Sequence, residues 1–236
     1  MNARREFLLA TALLAAAPLL ARAAGAPLKI ATVGAGHIGS TLGGLWVKAG
    51  HPVMFSSRHP EELKDLVAGL GPLASAGSVE EALAFADVVL LAVPYRALPQ
   101  IGKEFARPLA AKALVLDACN PFPSRDGEIA TWARDKGAGL ATAELLPGAR
   151  LVRAFNAIGH SRLPGIALRK DGSTGMPIAG DDAKAIAVAS GLIREIGLEP
   201  VLVGPLAMGR YLMPGTPLAG EHTPEEIRSI AAGLKP

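Results

Sequence analysis

The chain has 236 residues, 50% of them hydrophobic, with 27 glycines, 19 prolines and 24 basic against 21 acidic side chains. That length fills one sizeable core or, at most, two small domains. Modest charge and the lack of a three-residue glycine period exclude disorder and collagen. The single cysteine, Cys119, excludes an internal disulfide and a cysteine-rich metal site. His37, His51, His59, His160 and His222 show no zinc-like spacing with acids, so no metal is expected.

Residues 1–23 have the layout of a signal peptide: Arg4-Arg5, an apolar stretch to Ala21 interrupted by Pro18, then Ala21-Arg22-Ala23 as a cleavage site. The RREFLL sequence resembles the twin-arginine (Tat) export signal, which points to a bacterial protein carried folded to the periplasm. The apolar stretch falls short of the roughly 20 residues of a full span. Cleavage is therefore expected over the runner-up, a retained membrane anchor, and the mature chain is expected to have no stable span. Cleavage leaves a nearly neutral protein without basic clusters interleaved with aromatics, which argues against nucleic acid as a partner.

Residues 24–27 read as a linker, and the functional reading begins just after them. Ile30–Val33 is a strand pattern that enters Gly34-Ala35-Gly36-His37-Ile38-Gly39, and a helical pattern runs from Ile38 to Ala49. Strand, glycine turn and helix in that order are what a dinucleotide site requires. Gly34 makes the turn, Gly36 lets the backbone approach a pyrophosphate, and Gly39 lets the helix pack on the strand. The helix N-terminus offers unpaired N–H groups to the anion. Val53–Ser56 reads as the second strand, and where an NAD site carries a carboxylate this sequence has Ser56, Ser57 and Arg58. Hydroxyls and a guanidinium suit a 2′-phosphate, so NADP is expected over NAD.

A helix over 61–70 and a brief edge strand over 73–75 follow. Ser78 and Glu81 then have the spacing of a capping box for a helix reaching Ala86. Val88–Val93 is apolar without alternation, the mark of a strand buried on both faces. At its carboxyl end Ala92, Val93 and Pro94 are expected beside the pyrophosphate or ribose, and Tyr95 near the nicotinamide, as a wall or a catalytic acid. Ala113–Ala118 is a strand running into Cys119-Asn120-Pro121-Phe122, and Arg150–Phe155 one running into Asn156-Ala157-Ile158-Gly159-His160. Asn120 and Asn156 are candidates for the reacting end of the site, with His160 at its mouth. Cys119 has no adjacent histidine to activate it.

Residues 124–139 read as a surface helix with flanking loops, and residues 162–173 as an irregular, mildly basic loop. Met176–Ala179 is a strand, Ala183–Ile196 a helix, and Val201 the centre of a last strand. Pro224–Leu234 is a terminal helix capped by Thr223 with Glu226. The expected architecture is α/β: a Rossmann-type doubly wound parallel sheet forming a single compact domain over 28–203. Residues 204–236 form a C-terminal helical tail that covers the crevice or mediates contact in a homodimer.

Several blocks together resemble the coenzyme F420-dependent NADP oxidoreductases: VGAGHIGSTLGGLWVKAGH, VMFSSRHPEEL, ADVVLLAVPYRAL, LVLDACNPF, LVRAFNAIG and MPIAGDDAKAIAVASGLIREIGLEPVLVGPLAMGRYL. They are similar too to the NADPH-binding domain of flavin-linked metalloreductases. The resemblance, from Leu28 to Leu212, implies that Gly34, Gly36 and Gly39 hold the pyrophosphate and that Ser57 and Arg58 receive the 2′-phosphate. It also implies that Val93 and Pro94 border the nicotinamide, that Asn120 and Asn156 lie near the reactive ring, and that Leu206 belongs to the segment closing the crevice. The activity it implies is hydride exchange between NADP(H) and a deazaflavin (F420) or flavin. Two other readings remain open at this stage. One is a non-catalytic NADP(H)-binding sensor or partner protein. The other is a reductase of small imines or carbonyls, with Tyr95 or His160 as proton donor.

Overall fold

The computed structural model describes residues 27–169 and 173–236, so the signal peptide reading lies outside the described residues. In chain order the elements are β1 (Ile30–Val33), α1 (His37–Lys48), β2 (Val53–Ser56), α2 (Lys64–Leu70), β3 (Ala74–Gly77), α3 (Val79–Phe85), β4 (Val88–Leu91), α4 (Leu98–Ala110) and β5 (Leu114–Asp117). They continue with α5 (Pro123–Asp126), α6 (Glu128–Lys136), α7 (Ala138–Leu145), β6 (Leu151–Arg153), α8 (Leu163–Arg169), β7 (Gly175–Gly180), α9 (Ala183–Glu195), β8 (Glu199–Gly204) and α10 (Pro224–Ala232). The strands form one sheet in the order β3-β2-β1-β4-β5-β6-β7-β8.

Alternation along the strands sends side chains to two separate cores. Ile30, Val88, Leu90, Leu114, Leu116 and Val152 join Leu42 and Trp46 of α1 and Leu192 and Ile193 of α9 on one face. Ala31, Val33, Val89, Leu91 and Val115 join Leu83 of α3, Leu109 of α4 and Ala141 of α7 on the other. Trp46 is fully buried, and its indole N–H donates to the Leu192 carbonyl at 3.0 Å, tying α1 to α9. Both capping boxes expected from the sequence are present, at Ser78/Glu81 and Thr223/Glu226.

The sheet departs from the all-parallel expectation at its far side. β1 to β6 are parallel, but β7 pairs with β6 antiparallel, and β8 runs parallel to β7. Residues 162–169, read from the sequence as part of an irregular loop, contain α8, whose seven residues span only about 10 Å. A parallel return needs a crossover to the opposite edge; the chain between β6 and β7 makes none, and β7 starts on the side where β6 stops.

This reversal relocates the tail. β7 and β8 deliver their carboxyl ends to the edge opposite the Gly34 turn, and there the Leu206 N–H donates to Asp181 Oδ1 at 2.9 Å. Leu206 is buried beside Gly139 rather than closing the cofactor crevice, which corrects the role the resemblance implied for it. From there the tail runs back along its own chain. Met208, Leu212, Leu218 and Ile227 cluster with Ala179 and Val201, and the Gly220 N–H reaches the Ala157 carbonyl at 2.9 Å.

The glycine turn imposes the tightest packing. Gly34 has φ +97°, and a Cβ there would stand 2.5 Å from the Ala92 carbonyl oxygen. A Cβ on Gly39 would overlap the Gly34 carbonyl oxygen itself. Gly39→Ala is therefore expected to lose about 1–3 kcal/mol of stability, as overpacking does where backbone must move, measured as a lowered urea midpoint with unchanged m-value.

Candidate cofactor-binding site

The strand order reverses direction between β1 and β4, and the loops at the carboxyl ends of β1, β2, β4, β5 and β6 all meet at that edge of the sheet. Open α/β sheets bind ligands in this crevice. The Gly34 N–H bonds to the Ser56 carbonyl at 3.2 Å and the Ala92 N–H to the Val33 carbonyl at 2.9 Å, so the first three loops are fixed to one another.

Gly36 behaves unlike its neighbours in the turn. A Cβ there would meet nothing within 4 Å, so the space above it is open. Gly36 is the N-cap of α1, no side chain caps that end, and the first turn carries no acid. Ser40 turns its hydroxyl back to the Gly36 carbonyl at 2.8 Å and so does not block the first N–H groups. An open cradle over an uncapped helix N-terminus fits a pyrophosphate. Ala35 and Ile38 are half-buried and support the turn from the core side, Ile38 as the second residue of α1.

At the end of β2 the three residues read as phosphate ligands separate. Ser56 is fully buried, and its hydroxyl donates to the Thr32 carbonyl at 2.9 Å, so it braces β1 and is not available to a ligand. Ser57 Oγ accepts the His59 N–H at 3.1 Å and shapes the loop. Arg58 is exposed on that loop and makes no ion pair among the described residues, leaving its planar fork available to a phosphate. His59 lies 3.5 Å from Glu61 and is equally exposed.

After β4, Ala92 and Val93 pack against the Gly34 turn and Pro94 is exposed. Tyr95 turns inward. It is 0% exposed, with its hydroxyl 3.2 Å from Thr142 Oγ1 and 3.4 Å from the Ala138 carbonyl. Burial pushes its phenol well above the ordinary tyrosine range. The expectation that Tyr95 reaches the nicotinamide, as wall or acid, is corrected: an apolar ring at this strand end is drawn into the α7 core.

The ends of β5 and β6 hold a polar network that the sequence reading missed. Arg153 and Asp117 are both buried and pair at 2.8 Å. Arg153 Nη1 also donates to the Cys119 carbonyl at 2.9 Å, Nη2 to Asn120 Oδ1 at 3.0 Å, and Nε to the Gly209 carbonyl at 3.1 Å. Asp117 Oδ1 accepts the Cys119 N–H at 2.8 Å. Asn120 Nδ2 in turn donates to the Asn156 carbonyl at 2.8 Å, so the two asparagines flagged in the sequence are brought together. The signal for this network was present in outline: two otherwise apolar strands, LVLD and LVR, each end on a charge of opposite sign.

Asn156 is 2% exposed, and neither its side-chain oxygen nor its nitrogen has a partner among the described residues. It follows Phe155, a non-glycine residue at φ +66°. A buried unsatisfied amide and a left-handed residue each cost of order 1–3 kcal/mol, and such features gather where ligands bind. Beyond Asn156 the loop returns over the mouth. The exposed His160 ring stacks on His37 at 4.5 Å between centroids and 8° between planes, tying the loop after β6 to the start of α1. Cys119 is buried, its thiol 3.4 Å from the Leu91 carbonyl, and burial raises it far above the ordinary thiol range, consistent with an inert packing role.

Residues 29–121 match the family model described as NADP oxidoreductase, coenzyme F420-dependent. That match runs from β1 to just past Asn120. The chain is 31% identical over 186 residues to the metalloreductase STEAP3 of Rattus norvegicus, an alignment covering 77% of this chain and 35% of that protein. The chain thus spans about a third of the length of that curated relative. Among solved structures it resembles the hypothetical protein SMa0349 from Sinorhizobium meliloti, with 29% identity, a TM-score of 0.67, and coverage of 84% of this chain and 95% of that one. It also shares its fold with a candidate F420-dependent NADP-reductase from Arthrobacter sp. FB24, at 23% identity, a TM-score of 0.64, and coverage of 78% and 87%. Family and fold together support an NADP(H)-linked oxidoreductase. Among the described residues no helix is long and apolar enough to cross a membrane, and no group of three His, Cys, Asp or Glu side chains stands close enough to hold a metal ion.

The loop carrying Asn120 is held from its far side by Asp126, whose carboxylate accepts from the Phe122 N–H at 3.1 Å and from Arg125 at 2.7 Å. Burial alone would raise this carboxyl, but the Arg125 and Phe122 hydrogen bonds outweigh it and hold the group below the ordinary carboxylate range. A depressed acid stabilises the fold above the unfolded-state value of about 4, and that contribution is lost as pH falls toward the folded-state value. Stability of the wild type is expected to drop as pH falls below about 5. Asp126→Asn should flatten that part of the profile, as read from urea midpoints at stepped pH.

Proposed function

We propose that the protein exchanges a hydride between NADP(H) and a deazaflavin (coenzyme F420) or flavin acceptor. The observation that carries the reading is the Gly34–Gly39 turn: an open cradle at Gly36 over the N-terminus of α1, which no side chain caps, with Arg58 exposed on the neighbouring loop and without an ion pair among the described residues. The turn receives the pyrophosphate through backbone N–H groups, and Arg58 receives the 2′-phosphate. Val93 and Pro94 flank the ribose side, while Asn120 and Asn156 orient the nicotinamide end. The bound coenzyme supplies the hydride donor, and the protein's part is to hold the two rings in register and keep water out.

The acceptor assignment is supported by the family model over residues 29–121 and by the likeness to a metalloreductase. The burial of Tyr95 weakens the small-substrate alternative, because it leaves His160 as the remaining candidate proton donor at the mouth. The RREFLL leader supports the further proposal that the protein works after Tat export.

Two measurements test this function. Arg58→Ala is expected to weaken NADPH by about 1.5–3 kcal/mol, the range of a hydrogen bond to a charged group, and to leave NADH nearly unchanged. Equal losses for both coenzymes would remove Arg58 from the 2′-phosphate site. In the second, NADPH-loaded protein is mixed anaerobically with F420, FMN or FAD, and oxidation of NADPH by one of them is expected. Tight NADPH binding with no oxidation by any of the three would reject the hydride-exchange reading in favour of a sensor.

A further inference from the structure

Arg153 stands inside the LVRAFNAIG block, where no motif assigns it a role, yet its guanidinium joins the end of β5, the loop carrying Asn120 and the tail at Gly209. It is 0% exposed and spends its donors on the Asp117 carboxylate, the Cys119 carbonyl, the Asn120 side-chain oxygen and the Gly209 carbonyl. A guanidinium only donates, so it fixes which way the Asn120 amide faces: the oxygen toward Arg153 and the nitrogen toward the Asn156 carbonyl. That second bond, at 2.8 Å, restrains the backbone where Phe155 is held at φ +66°. The result is an Asn156 side chain that is buried and has both polar atoms unpartnered.

An amide with a free donor and a free acceptor complements a primary carboxamide, which presents the same two groups in reverse. We infer that Arg153 is a positioning residue: acting through Asn120, it presets Asn156 to recognise the carboxamide of the nicotinamide ring. This rests on the reading of the crevice as an NADP(H) site. Gly209 takes part from the tail, since a Cβ there would stand 2.7 Å from Arg153 Cδ and 3.3 Å from Gly139 Cα. Close approach of the tail backbone thus gives the guanidinium its Nε acceptor.

The test separates the two ends of the coenzyme. Full-length protein is titrated with NADPH and with adenosine 2′,5′-bisphosphate, which keeps the adenosine and 2′-phosphate but lacks the nicotinamide. Arg153→Lys keeps a charge opposite Asp117 but loses the planar fork. It is expected to weaken NADPH by about tenfold or more and the bisphosphate by less than about twofold. Asn120→Leu leaves the Arg153–Asp117 pair intact and removes only the relay; it is expected to give the same split and carries the test if Arg153→Lys fails to fold. Asn156→Ala should reproduce it, and combining it with Asn120→Leu should add little, the non-additivity of groups acting in series. Parallel losses of both ligands in the variants, or no loss of either, would overturn the positioning role while leaving the cofactor site standing. A wild-type protein that binds neither ligand would overturn the functional reading, and this inference with it.

Discussion

The contact between Gly34 and Gly39 is the constraint on which the remainder of the molecule turns. The carbonyl that ends β1 lies so close to the first turn of α1 that no side chain fits between them, and Ala92 closes the same space from β4. Strand, helix and neighbouring strand are thereby locked at one angle. With that angle set, the helix N-terminus faces the crevice, the loops after β2 and β4 are drawn in by backbone hydrogen bonds, and the open side of Gly36 is left as the place for an anion. The glycines thus divide between packing and access, and only the packing ones are fixed by the protein's own interior.

Much of this was legible in the sequence because it is local. The strand–turn–helix order, the capping boxes at Ser78 and Thr223, and the runs ending in Asn120 and Asn156 are written in neighbouring residues. What was not legible depends on partners far along the chain. Tyr95 is captured by Thr142, 47 positions away, and Arg153 is claimed by Asp117, 36 positions away. The direction of β7, and with it the place of Leu206, is set by a connection that does not cross back over the sheet. Helix α4 is hidden for a different reason: Pro99 and Pro108 interrupt its pattern, and its backbone is kinked at Phe105. Proline near the first turn is tolerated, while one farther in is accommodated by the kink.

The polar network at the ends of β5 and β6 is costly to bury, and its arrangement shows how the cost is contained. Replacing such a pair by apolar groups would often be neutral or stabilising, so stability alone does not account for it. Each of the three donor atoms of Arg153 has an acceptor and both Asp117 oxygens accept, whereas Asn156, one bond further on, is left with neither. A closely paired supporting layer with a deficiency at its edge is the distribution expected where a rigid scaffold presents an unsatisfied group to a ligand.

The family match ends at Pro121, just past Asn120, whereas Arg153 and Asn156 lie on β6 and the loop beyond it. The crevice therefore draws on residues on both sides of that boundary. A chain cut at that boundary would keep every glycine of the turn and still strand the Asp117 carboxylate in an apolar sheet without its counter-charge. Any exchange of acceptor-side segments between relatives, by evolution or by recombination in the laboratory, has to carry a cation at position 153 together with the fold's first half or replace Asp117 at the same time.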